Sequence, residues 1–177
     1  MAGYRNAALL VIDIQKGLFT KNIPIYNAEK LLENVNHLIE SAHQAGAPVF
    51  IIQHSSDAVL RKGTEEWRLH PQIQPTTIDY LIHKRRPCAF EGTALKQELD
   101  YLQIKCVVVT GLVTHGCVKS TCIGAHDLGY KVILVEDGHS NYHRKARQVI
   151  DEWNQKLSQE TVELKATREI GFLPATE

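Results

Sequence analysis

The sequence predicts an α/β protein of three layers, α/β/α, around a six-stranded, mainly parallel sheet. Two observations carry this. Several runs are apolar at nearly every position, which marks strands buried on both faces, the habit of parallel sheets. Between them lie segments whose apolar residues repeat with helical period. Strand alternating with helix requires right-handed crossovers, and these lay helices over both faces of the sheet.

The elements follow in order. AALLVID, Ala7 to Asp13, is the first strand. Leu31, Val35, Leu38 and Ala42 then line one face of a helix, with Gly46 just past its end as a stop signal. PVFIIQH, Pro48 to His54, is the second strand. The least regular stretch, Ser55 to Pro75, reads as a loop or lid holding Arg61, Trp67, Arg68 and His70. TIDYLIHK, Thr77 to Lys84, is a third and less apolar strand. Leu95, Leu99 and Leu102 form a short helical stripe with Thr93 available as its N-cap. KCVVVTG, Lys105 to Gly111, is the fourth strand. Val118, Thr121, Cys122, Ala125 and Leu128 make the next helical stripe, closed by Gly129. KVILVED, Lys131 to Asp137, is the fifth strand, and Ala146, Val149, Ile150, Trp153 and Leu157 mark the last helix. A weaker sixth run, TVELKA, covers Thr161 to Ala166. No repeat, low-complexity tract or linker interrupts this pattern, so one domain over residues 1–177 is expected.

Composition narrows the function classes. The chain has 177 residues, 44% hydrophobic and 23% charged, enough for one globular domain with a full core. Twenty Lys and Arg balance twenty Asp and Glu, so no basic excess points to nucleic acid or to an anionic membrane. The apolar runs are well short of a bilayer span. No signal-peptide layout precedes the first strand, and a cytoplasmic location is expected. The four cysteines, Cys88, Cys106, Cys117 and Cys122, contain no CxxC pair, which suits reduced thiols.

Open parallel sheets bind ligands beyond the carboxyl ends of their strands. The first run ends at Asp13, the second at Gln53 and His54, the third at Lys84. The fourth ends at Thr110 and Gly111 and leads through GLVTHGCV to Cys117. A carboxylate, an ammonium and a thiol therefore converge at one sheet edge, a complete set of base, cation and nucleophile. Cys117 stands at a strand-to-helix junction. Free backbone N–H groups and the helix dipole there favour a thiolate, and the same N–H groups can bind an oxyanion. Taken singly, a strand-end Asp is commonly a loop or cap residue and a Lys is commonly solvated. Cys106 and Cys122 fit small core hydrophobes. The reading rests on the three groups together.

Three segments resemble the isochorismatase-like cysteine hydrolases, the superfamily that includes nicotinamidases and N-carbamoylsarcosine amidase. They are ALLVIDIQKGLF from Ala8, IHKRRPCAFEGTAL from Ile82, and VVVTGLVTHGCVKSTCIGAHDLGYKVILVEDGHS from Val107. The resemblance implies a sheet ordered 3-2-1-4-5-6 and a catalytic triad of Asp13, Lys84 and Cys117. It implies a non-proline cis peptide between Leu112 and Val113, an oxyanion hole from the Val113 and Cys117 N–H groups, and Thr114 helping to hold that loop. It implies a cysteine hydrolase that cleaves the C–N bond of a small amide, imide or ureide through a thioester, and a homo-oligomer, dimer or tetramer. Nicotinamidases bind metal through an Asp-x-His pair after the second strand. Here that place reads Gln53-His54-Ser55, so no metal and no cofactor are expected. Isochorismatases proper cleave a vinyl ether without a cysteine nucleophile, and Cys117 favours C–N cleavage instead. Substrate-binding candidates are Phe19, Gln53, His54, Trp67, Phe90 and His115, with Val113 beside them.

Rival readings fare worse. A cysteine phosphatase needs an Arg six residues after the nucleophile, where this chain has Ile123. A dinucleotide-binding fold needs GxGxxG after the first strand, where this chain has Asp13-Ile14-Gln15-Lys16-Gly17. A thiol redox protein pairing Cys117 with Cys122 has no CxxC to support it. The alternative from another class is a binding or assembly protein that kept the fold and lost turnover.

Overall fold

In the computed structural model, which describes residues 2–174, the strands and helices alternate along the chain. The strands are β1 (Ala2–Tyr4), β2 (Ala7–Ile12), β3 (Val49–His54), β4 (Tyr80–Lys84), β5 (Cys106–Leu112), β6 (Lys131–Ser140), β7 (Glu163–Lys165) and β8 (Ile170–Phe172). The α-helices are α1 (Lys16–Phe19), α2 (Ala28–Gln44), α3 (Leu95–Tyr101), α4 (Lys119–Asp127) and α5 (Ala146–Glu160). Six strands form one parallel sheet in the order β4-β3-β2-β5-β6-β7. Counted by the six apolar runs, this is the order 3-2-1-4-5-6. The short β1 and β8 pair separately, also in parallel, a feature the apolar pattern does not announce.

Every residue of β2 is buried, and its neighbours take alternate faces. Leu9 and Val11 join Val49, Ile51 and Val108 beneath Leu31, Val35 and Leu38 of α2. Ala8, Leu10 and Ile12 join Phe50, Ile52, Val107 and Val109 against Leu95 and Leu99 of α3, Cys122 and Ala125 of α4, and Leu157 of α5. A strand sandwiched in this way has no solvated face, hence its unbroken apolar sequence. Helix α2 ends as expected, with Gly46 at φ +67 just beyond the Ala45 cap.

Several boundaries differ from the sequence expectation. The first strand stops at Ile12, because Asp13 turns into the left-handed region at φ +52. The third begins only at Tyr80, because Asp79 accepts the Thr76 N–H and hydroxyl and closes a turn there. The fifth continues past Asp137 to Ser140 after a register shift opposite Val109 and Gly111. Thr93 accepts the Leu95 N–H at 3.2 Å, as a cap does, although α3 itself begins at Leu95 behind Ala94.

The Ser55 to Pro75 segment is strapped down rather than left as a free lid. Lys16 N–H donates to the Arg68 carbonyl, Gly17 N–H to Glu66, and His70 N–H to Ile14, each at 2.8 or 2.9 Å. Gln15 and Leu69 form an antiparallel bridge. The segment thus lies across the carboxyl end of β2.

Strand order reverses between β2 and β5, each followed by a loop at its carboxyl end. Such a switch point opens a crevice in a parallel sheet. Gly111 sits at it with φ +125, paired with Ile12. A Cβ there would collide with the Ile12 carbonyl oxygen, so the close approach of the two strands requires glycine. Among the described residues, no helix is long and apolar enough to cross a membrane.

Candidate active site

Asp13 follows β2 directly. Its N–H donates to the Ile52 carbonyl at 2.9 Å, and its own carbonyl accepts the Gln15 N–H at 2.8 Å. Gln15, fully buried, then acts as a surrogate strand neighbour for His54. Its Oε1 accepts the His54 N–H at 2.8 Å, and its Nε2 donates to the His54 carbonyl at 3.0 Å and to the Trp67 carbonyl at 2.8 Å. Gln15 lies beyond the strand-end positions that the apolar pattern picks out. Its signal is a polar residue two positions beyond an apolar strand end.

Lys84 closes β4, two strands away from β2. It reaches Asp13 across the end of β3, where His54 is its register partner. Its side chain is fully buried. The ammonium donates to Asp13 Oδ2 at 3.0 Å, His54 Nδ1 at 2.9 Å, Cys117 Sγ at 3.1 Å and the Arg86 carbonyl at 3.3 Å. One cation therefore joins a carboxylate, an imidazole and a thiol drawn from two strand ends and a helix entry. Asp13 Oδ1, also buried, has no hydrogen-bond partner among the described residues.

Cys117 belongs to a π-helical turn, Thr114–Val118, that precedes α4 and is broken at Gly116. The Leu112–Val113 peptide before it is cis. The Val113 carbonyl accepts the Gly116 N–H at 3.0 Å and the Val118 N–H at 3.3 Å, which coils the chain around the sulfur.

Burial governs the charges here. It raises the Asp13 carboxyl above its usual range, with the Lys84 ammonium opposing. It also pushes the Cys117 thiol up, to about 12, helped by the Asp13 carboxylate and opposed by Lys84. This corrects the expected low-pKa thiolate. The helix-entry position alone favours the anion, but a buried carboxylate next to the sulfur leaves room for one negative charge, not two. Burial and mutual repulsion thus act against a second negative charge beside the ammonium.

Asp13, His54 and Cys117 present atoms within 4.8 Å of one another, a spacing that metal ligands share. Lys84 Nζ already stands at hydrogen-bond distance from all three. Its positive charge at their centre opposes a second cation.

Behind the turn lies a buried polar chain: Thr114 was expected to hold the loop, whereas its partners were not, His139 lying where β6 outruns its apolar run and Asn154 on α5. Thr114 Oγ1 lies 2.9 Å from His139 Nδ1, and His139 Nε2 lies 2.8 Å from Asn154 Oδ1. Asn154 Nδ2 donates to the Glu136 carbonyl, so its oxygen is left to accept. His139 therefore carries a proton on Nε2, and because burial disfavours its charged form, Nδ1 is left to accept the Thr114 hydroxyl. Asn141 Nδ2 adds a 3.4 Å contact to the same hydroxyl.

This chain has a measurable consequence. Burial pushes His139 down to about 4. The unfolded residue titrates near 6.5, so between those values only the unfolded chain takes up the proton. The stabilising effect of a neutral His139 is full above about pH 6.5 and is lost as pH falls towards 4, a loss of about 3 kcal/mol. Urea unfolding at pH 7 and pH 4 should show it, and His139→Gln should lose that much less between the two.

The remaining candidates are placed as follows. Gln53 is buried and donates to the Trp67 carbonyl at 3.1 Å. Trp67 Nε1 donates to Ser55 Oγ at 2.9 Å, and its ring stands edge-on to His83. These two clasp the strapped segment. Phe19 packs on His70, and Phe90 stacks on Tyr130. His115 is exposed, near His143, beside a cavity of about 470 Å³ that Tyr142 and Arg144 also line. Only His54 of this group touches Asp13, Lys84 or Cys117 by a hydrogen bond among the described residues.

Comparison with known proteins shows the family and the fold. The family profile described as the Isochorismatase domain matches residues 7–158. The isochorismatase family protein YddQ of Bacillus subtilis (strain 168) is 33% identical over 135 residues, 73% of this chain and 75% of that protein. Streptothricin hydrolase of Streptomyces noursei is 30% identical over 137 residues, 76% of this chain, and the chain spans only 50% of that protein's length. A crystal structure of an isochorismatase family protein superposes with a TM-score of 0.85 at 28% identity, covering 91% of this chain and 98% of the other.

Proposed function

The chain belongs to the isochorismatase domain family, and on that premise we propose that it cleaves the C–N bond of a small amide, imide or ureide with Cys117 as nucleophile. Its class is that of the family's hydrolases, among which a relative is named for hydrolysing streptothricin. The observation that carries the reading is the buried Lys84 ammonium, within hydrogen-bond distance of both Asp13 and Cys117.

The charge state dictates the sequence of steps. Cys117 rests as a thiol, so attack on a carbonyl carbon must move its proton to a base. Asp13 is that base: its carboxyl is raised by burial, and Oδ1 holds no other hydrogen bond. The S–C bond forms as the proton passes to Asp13, and the carbonyl oxygen takes the negative charge. The N–H groups of Val113 and Cys117 are the donors assigned to that oxygen; one such donor is worth about 3–4 kcal/mol. Asp13 then protonates the leaving nitrogen, and the C–N bond breaks to leave a thioester. Asp13, anionic again, takes a proton from water as the water oxygen attacks the thioester, the C–S bond then breaks to free the acid, and Asp13 returns that proton to the departing Cys117 sulfur. The Lys84 ammonium, at hydrogen-bond distance from both acids, offsets whichever of them carries the charge.

The direct test is trapping. Native protein mixed with a panel of small amides, imides and ureides and quenched in acid should carry an acyl mass increment on the Cys117 peptide for any compound it turns over. Turnover with no adduct, under conditions where deacylation limits the rate, would contradict the covalent route.

A further inference from the structure

His54 has the same relation to Lys84 as Asp13 and Cys117 have, yet no step above uses it. We propose that His54 is a positioning residue: its Nδ1 accepts a hydrogen bond from Lys84 and so fixes the ammonium between Asp13 and Cys117. This rests on the reading of Cys117 as nucleophile and Lys84 as its charge partner.

An ammonium has three protons and no lone pair. Lys84 Nζ has Asp13 Oδ2, His54 Nδ1 and Cys117 Sγ at 2.9–3.1 Å, with the Arg86 carbonyl farther off at 3.3 Å. The three nearer acceptors use the three protons. Because Lys84 only donates, the 2.9 Å contact requires a bare Nδ1, and so a neutral ring protonated on Nε2. Burial and the Lys84 charge hold His54 below its usual range, in accord with that state.

The ring is held in place from its backbone. Gln15 binds both the N–H and the carbonyl of His54, and Ser55 N–H donates to the Lys84 carbonyl at 2.8 Å. Register pairing with Lys84 puts the two residues side by side at adjacent strand ends. Without the imidazole, the third proton of Lys84 has only the longer contact to Arg86. The ammonium can then turn away from the sulfur, and the thiolate formed during attack loses its nearest countercharge.

The test compares His54→Leu, which has no acceptor, with His54→Asn, whose side-chain oxygen lies close to the Nδ1 position. The probe is iodoacetamide, with the rate of Cys117 carbamidomethylation read by peptide mass mapping, and kcat and KM measured on an amide the native protein hydrolyses. His54→Leu is expected to slow Cys117 alkylation and lower kcat by about tenfold, the value of one hydrogen bond to a charged group, with KM little changed. His54→Asn is expected to recover most of both. If the leucine variant does not fold, His54→Gln, whose oxygen lies one bond too far out, supplies the same contrast with asparagine. Native-like alkylation in the leucine variant, an asparagine variant as slow as leucine, or a rise in KM alone would overturn the role. A Cys117→Ala control separates the two readings. If it is inactive while His54→Leu is native-like, only the role of His54 fails; if it is fully active, the reading of Cys117 as nucleophile fails and takes the role of His54 with it.

Discussion

Cys117→Ala is expected to be folded and without turnover. The substitution removes one half-buried sulfur atom. Lys84 keeps Asp13, His54 and the Arg86 carbonyl as acceptors, so no charge is stranded. The cost to stability should be about 1 kcal/mol, that of a small buried group. The cost to activity should be roughly 10⁴-fold or more, as when a nucleophile acting in a coupled set is deleted. Cys117→Ser is a near-isosteric control and should be nearly as inactive. A serine hydroxyl is far less acidic than a thiol, and a carboxylate such as Asp13 is too weak a base for it. Thermal melting and steady-state rates on the same preparations decide the matter. Activity within tenfold of native in Cys117→Ala would end the assignment.

Lys84→Met should harm both activity and stability, and the second effect should depend on pH. The methionine fills a comparable volume but leaves Asp13 buried without its cation. Breaking a buried pair by removing one partner typically costs about 3–5 kcal/mol. The carboxyl has an escape, because it can take up a proton. Burial already raises it with Lys84 opposing, and removal of Lys84 raises it further. A carboxyl whose folded pKa exceeds its unfolded value is best tolerated below the unfolded value, about 3.9, and destabilises increasingly as pH rises towards the folded one. The stability gap between native and Lys84→Met protein should therefore be wider at pH 8 than at pH 5 in urea unfolding. An equal gap at both would show that Asp13 gains nothing from the ammonium. Turnover should be absent at either pH, since proton transfer from Cys117 to Asp13 would leave an unbalanced buried anion.

Much of the fold was legible because its information is local. Leu9, Leu10 and Val11 are apolar in succession since each faces a core on one side of the sheet or the other. Gly46 and Gly129 mark helix ends because both take positive φ just past a last turn. Strand ends told which polar side chains meet, so Asp13, Lys84 and Cys117 could be brought together from the order of runs. The polar tail of β6 was not legible. His139 and Ser140 continue the strand by pairing with Gly111 and Leu112, and no apolar pattern records a pairing with a distant strand.

The candidate site divides in the same way. Its three principal groups were written at strand ends and in motif order, as were the layers that carry them. What tertiary structure alone decided is the state of those groups. A helix-entry cysteine suggests a thiolate, yet Cys117 is held as a thiol because folding buries it beside Asp13. Gln53 and His54 are adjacent in sequence, yet one clasps the Trp67 loop and the other holds Lys84. Residue type and period are properties of the chain, whereas charge and partnership depend on distances across strands and on the exclusion of water, which exist only once the sheet has assembled.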